Sequence, residues 1–146
     1  MLRAWLRSQE DMKSSFYIAS GLGNAPVAKA LADDLKQLGH TITYEWWLHG
    51  SVLKHGPERI AEVAAAEVSG VLSADIVVVL LPGGRGTHVE LGAAIGSVIW
   101  QGFPSKIFVV GDVGQTTECA FYYHPKVNRV KDVGEMMNQL AIWSAA

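Results

Sequence analysis

The segment Pro82-Gly-Gly-Arg-Gly-Thr-His-Val-Glu90 gathers three glycines, an arginine and a carboxylate into nine residues. Glycines at 83, 84 and 86 leave backbone N–H groups unobstructed, and a helix beginning near Thr87 directs its positive end into the same space. Such a place suits an anion or a polar sugar, with Gly84, Arg85, Gly86 and His88 as candidate contacts. Arg85, between two glycines, suits a phosphate; the plainer reading is a solvated arginine on a loop tip. Glu90 also has two readings. It is either a reactive carboxylate or the far half of a capping box, Thr87-x-x-Glu90, which merely satisfies a backbone N–H.

A second carboxylate stands out by periodicity. Ile60, Val63, Ala64, Val68 and Val71 recur at helical spacing, and at 100° per residue Glu67 falls near the middle of their stripe. Burying a lone carboxylate there is costly, so Glu67 either faces a crevice or holds a raised pKa with a hydrogen-bond partner. The alternative is an edge residue that snorkels to water; Glu62, by contrast, lies on the opposite, solvated face. Two carboxylates meeting in one polar pocket, one with its pKa raised, can cleave a glycosidic bond as nucleophile and acid.

These residues need a frame that brings them together. Phe16–Ser20 (FYIAS) predicts a strand ending at a Gly-containing turn, after which Asn24 caps and Pro26 opens a helix. Val27, Leu31, Leu35 and Leu38 form its inward stripe, and Gly39 ends it. Thr41–Trp47 (TITYEWW) predicts a second strand, 49–57 a loop, and 57–72 a second helix. A third strand follows over Asp75–Leu81, then a third helix over Thr87–Trp100, a fourth strand over Lys106–Gly111 and a short fifth over Val127–Val130. The last helix spans Val133–Trp143, with Met136, Met137 and Leu140 inward. This alternation implies right-handed crossovers and a single-domain α/β sandwich of flavodoxin or Rossmann type: a parallel sheet of about five strands with helices on both faces. Residues 16–146 form the domain and 1–15 an N-terminal extension. Ligands of such sheets bind beyond the strands' carboxyl ends. Ser20-Gly21, Glu45-Trp46, Pro82–Glu90 and Gly111-Asp112 therefore fall at one crevice, whereas Asp75 lies at the opposite edge as a strand-start carboxylate.

Other signals narrow the function. The 146 residues are 49% hydrophobic and 18% charged, which suits one buried core. A net charge of −2 without a basic block excludes polymeric nucleic acid as an expected partner. The run IVVVLL is far shorter than the roughly 20 residues of a membrane span. Met1–Ser15 has neither a sustained apolar stretch nor a small-residue cleavage site, so a cytoplasmic location is expected. Cys119 is the lone cysteine, and histidines 40, 49, 55, 88 and 124 lack ligand spacing, so neither a metal nor another cofactor is expected. Gly21-x-Gly23-x-x-Pro26, with Glu45 following, half matches a dinucleotide fingerprint, but proline replaces its third glycine. Trp46 and Trp47 either stack a planar ligand ring or divide between core and interface.

On FYIAS with Tyr17, ADIVVVLLP (Ala74–Pro82) and GTHVELG (Gly86–Gly92), the chain after Phe16 resembles the nucleoside 2-deoxyribosyltransferase family, including its nucleoside 5′-monophosphate N-glycoside hydrolase relatives. The resemblance implies that Glu90 is the nucleophile and that Tyr17 orients it. It also implies that a second acid falls on Glu67, where the family usually has aspartate. Ser20, Gly21 and Trp46 join the phosphate-loop residues as substrate contacts. A nucleoside or nucleotide substrate and a homodimer or larger homo-oligomer are implied as well. The string PGGRGTHVE is also similar to the PGGxGTxxE motif of cytokinin-activating phosphoribohydrolases, although the additional Gly-rich motif of those enzymes is missing. A nucleotide-binding sensor without turnover is the competing reading.

Overall fold

The computed structural model describes residues 2–3, 13–113 and 119–145, with side chains as far as 141. Among the described residues, one sheet contains β1 (Ser15–Ser20), β2 (Thr41–Ile42), β3 (Ile76–Leu80), β4 (Lys106–Val110) and β5 (Val127–Val130). All four pairings are parallel and the order is β2-β1-β3-β4-β5. The helices are α1 (Ala25–Gln37), α2 (Pro57–Ser73), α3 (Arg85–Gln101) and α4 (Val133–Ala145). This is the expected Rossmann-like α/β fold.

The centre of the sheet explains the most apolar run. Every residue of β3 is buried, because helices cover both faces of a parallel sheet and leave no side for polar residues. From β1 the chain steps outward to β2, then returns past β1 to β3. Right-handed crossovers place α1 and α2 on opposite faces, and the reversal opens a crevice between the carboxyl ends of β1 and β3. Helices α2 and α3 pack side by side.

Several local expectations are corrected. The second strand spans only Thr41–Ile42, opposite Ser15 and Phe16, and the chain then enters a 3-10 turn over Trp46–Leu48. Burial of aromatics outweighs β propensity here: the Trp46 ring is buried, and its indole N–H donates to the Ile18 carbonyl at 2.7 Å. In α1 the buried set is Ala28, Leu31, Ala32 and Leu35, while Val27 and Leu38 are exposed. Asn24 makes no side-chain cap; its amide donates to Ser20 Oγ instead. Helix α3 starts at Arg85, two residues earlier than expected, because Gly84 is the N-cap and its N–H donates to Thr87 Oγ1 at 2.9 Å. In α2, Val63 and Val71 are buried but Ala64 and Val68 are exposed, so the inward stripe is narrower than expected.

Strand β1 begins at Ser15, whose N–H and hydroxyl both donate to Asp75 Oδ2. Asp75 thus ties two strand starts together, as read from the sequence. Residues 4–12 of the expected N-terminal extension lie outside the described residues.

Candidate active site

Four stretches of chain converge beyond the carboxyl ends of β1 and β3 around a cavity of about 550 Å³. The end of β1 contributes Ser20, Gly21 and Leu22. The segment after β2 contributes Trp46, His49 and 50–53. Helix α2 presents Ile60, Val63, Ala64 and Glu67, and the start of α3 presents 84–87 and Glu90. The volume is ordinary for a small-molecule site.

The floor depends on close backbone approach. The Gly21 N–H donates to the Pro82 carbonyl at 3.1 Å, and a Cβ at Gly21 would lie 3.2 Å from that oxygen. Ser20 is fixed too: its hydroxyl donates to the Leu80 carbonyl at 2.8 Å and accepts from Asn24. The loops after β1 and β3 are therefore joined before any ligand arrives. Arg85 is exposed at the cavity wall and makes no ion pair with the described residues.

Glu90 lies one turn beyond the Gly-rich segment, on the side of α3 that faces the sheet. It is 8% exposed, and its Oε2 has no hydrogen-bond partner. Burial is the main reason its carboxyl is pushed up to about 7; the charge of Glu67 adds to the rise and Tyr17 opposes it. No N-terminal N–H is capped by Glu90, since the cap is made by Thr87. The capping-box account of Glu90 is thus set aside. Glu67 is half-buried, and burial raises its carboxyl above the usual range while His49 pulls it down.

Tyr17 does not line the cavity. It sits on β1 behind Glu90, fully buried, with its phenol pushed far above the usual range by burial first and by Glu90 second. The two groups are near enough to couple, yet neither Tyr17 Oη nor Glu90 Oε2 closes a hydrogen bond. The ring is held by α2. A Cβ at Gly70 would stand 3.0 Å from both Tyr17 Cδ2 and Tyr44 Cβ.

Gly70→Ala is therefore expected to lower stability by about 1–2 kcal/mol in denaturant titration, overpacking outweighing the gain of about 1 kcal/mol in helix propensity. Gly96→Ala in α3, where a Cβ meets nothing within 4 Å, should instead raise stability. Equal effects at the two positions would refute tight packing of Tyr17 against α2.

His88 is the substrate-contact candidate that the structure places elsewhere. Its Nδ1–H donates to the Gly84 carbonyl at 2.8 Å, which leaves Nε2 to accept from the Tyr122 hydroxyl at 2.6 Å. It braces the Gly-rich segment from outside and is absent from the cavity lining. Glu45, Gly111 and Asp112 do not line it either, and Glu45 pairs with Lys36. The half-match to a dinucleotide fingerprint thus lacks its ribose-binding acid at the cavity.

Sequence reasoning missed His49, Val52 and Leu53. His49 is locked by Nδ1–H donation to the Gly50 carbonyl and by the Tyr44 hydroxyl at its Nε2, 2.9 Å away. Loop residues carry no periodicity, so nothing in their spacing marked them. Ile60, Val63 and Ala64 belong to the apolar stripe that the sequence assigns to this helix. The carboxylate in the middle of their stripe was the available sign that part of it faces a cavity.

Among the described residues, no group of three or more His, Cys, Asp or Glu side chains is placed to hold a metal ion. No helix among them is long and apolar enough to cross a membrane.

No protein-family model matches the chain, and no curated protein matches it in sequence. A solved structure that does match is that of the Clostridium botulinum CMP N-glycosidase BcmB, with a TM-score of 0.54 and 14% sequence identity. The match covers 88% of this chain and 98% of that one. The likeness is one of fold. It agrees with the parallel α/β sheet described above, and the chemistry must be argued from the residues of the cavity.

Proposed function

We propose that this chain cleaves the N-glycosidic bond of a nucleoside or nucleoside 5′-monophosphate, with water or a second base as acceptor. The observation that carries the reading is the pair Glu67 and Glu90: two carboxyls with raised pKa values on one cavity at the β1/β3 reversal. The N-glycosidase activity named for the similar structure supports the same class of reaction.

In this reading the ionised Glu90 attacks the anomeric carbon. The bond to the base nitrogen breaks, its electron pair leaves with the base, and Glu67 supplies the base with a proton. A covalent glycosyl-Glu90 ester results. Water then attacks the same carbon, gives its proton to Glu67 and frees Glu90. Tyr17 limits how the Glu90 carboxyl can turn. Ser20, Gly21, Gly84 and Gly86 border the sugar, and Trp46 borders the base. A second copy of the chain is the proposed partner, supported by exposed Val89, Ile99 and Trp100 along α3. Chromatographic screening of nucleosides and their 5′-monophosphates for free base tests the proposal; no release from any of them would leave a binding protein without turnover.

Arg85, exposed and unpaired beside the first N–H groups of α3, makes the 5′-monophosphate the preferred form. Arg85→Ala is expected to reduce kcat/KM for the monophosphate by about 1.5–3 kcal/mol, the magnitude of a charge-assisted hydrogen bond. The matching nucleoside should be almost unaffected. Equal losses on both would remove Arg85 from phosphate binding.

A further inference from the structure

The proposed reaction fixes which part of the cavity takes the leaving base. Glu67 must reach the departing nitrogen, so the base lies against the face of α2 that carries Glu67. Helical spacing puts Val63 and Ile60 one and two turns before it on that face. Both line the cavity, as do Trp46, Val52 and Leu53.

Apart from Glu67 and Ser51, the polar side chains there are already committed. The indole N–H of Trp46 is bonded to the Ile18 carbonyl, so Trp46 offers only its ring. Both ring nitrogens of His49 are taken, by Gly50 and Tyr44. Among the described lining residues no Asn, Gln, Asp or Lys occurs, and Ser51 is the only uncommitted side-chain hydroxyl on this side.

A base's identity resides in its edge, where an amino group donates and an oxo group accepts. A site that hydrogen-bonds that edge rejects the wrong base by 10⁴–10⁵-fold, whereas apolar contact discriminates by about 10–200-fold. From this we infer that the chain holds its base by apolar contact rather than by edge hydrogen bonds. Its substrates are nucleotides whose amino and oxo forms are accepted alike. The inference rests on the proposed N-glycosidase reading.

Binding and turnover test it together. Glu90→Gln keeps the cavity and removes the nucleophile, so affinities can be measured without hydrolysis. Calorimetry with CMP against UMP and AMP against IMP should give dissociation constants within about 10-fold inside each pair. Base release by the unaltered chain should give kcat/KM ratios within about 100-fold inside each pair. Leu53→Ala, at a rim position 74% exposed, should weaken all four nucleotides together by a few-fold. A preference above about 10³-fold within either pair would overturn the inference while leaving N-glycosidic cleavage in place. If neither the four nucleotides nor their nucleosides are bound or cleaved, the parent reading falls and takes this one with it.

Discussion

Glu90→Ala is expected to reduce base release by about 10³-fold or more while the chain remains folded. On the proposed mechanism, the loss follows from removing the carboxylate that forms the covalent bond. The survival of the fold follows from what Glu90 does not do: it caps no helix, and its Oε2 has no partner to abandon. Stability should shift in a pH-dependent way, best read in Glu90→Gln, which keeps the volume. Burial raises the carboxyl from its ordinary 4.5 to about 7, so the native state holds the proton more tightly than the unfolded chain. The associated stability is fully present below about pH 4.5 and is lost as pH rises through about 7. Above that, the native protein carries a buried charge costing up to roughly 3 kcal/mol. Glu90→Gln should then melt higher than the parent at pH 8, with the difference shrinking towards pH 4.5. Normal turnover in Glu90→Ala would end the nucleophile assignment. A fold lost at every pH would instead make Glu90 structural.

The second large effect concerns Glu67. Glu67→Gln should slow release of poor leaving bases by about 10²–10⁴-fold and of activated ones by less than about 10-fold, because only the former need a proton as they depart. In the proposed mechanism the productive form has Glu90 ionised and Glu67 protonated. Both carboxyls are raised, so kcat/KM for an ordinary base should be bell-shaped, its two limbs belonging to the pair. With an activated base only Glu90 matters, and the rate should climb through about pH 7 to a plateau. In Glu67→Gln the midpoint of that climb should move down, since the charge on Glu67 is one contributor to Glu90's raised value. A uniform loss across leaving groups, with the bell unchanged, would make Glu67 a packing residue.

Legibility in the sequence followed the physics of each segment. The run at β3 was unmistakable because burial on both faces admits only apolar residues. Glu67 was legible because α2 is long enough for a carboxylate in an apolar stripe to be a true anomaly. The segment after β2 was misread for the opposite reason: aromatic residues favour strands in general, yet here Trp46 turns inward to reach the Ile18 carbonyl and the ladder stops. The start of α3 was misplaced by two residues because a threonine can cap from either side, and Thr87 accepts from Gly84 instead of opening the helix. His88 invited a contact role by sitting in the Gly-rich segment. Its partner Tyr122 lies 34 residues away, where no local pattern could reveal it.

The close passage of α2 over Tyr17 also bears on how such a chain can drift over generations. A Cβ at position 70 would crowd both the Tyr17 ring and Tyr44 Cβ, so a side chain there presses on the residue packed behind Glu90. Two sites 53 residues apart (70 − 17) are therefore one heritable unit. On the proposed reaction, a lineage that keeps it should keep Gly70 with Tyr17, and one that has lost it is free to change both.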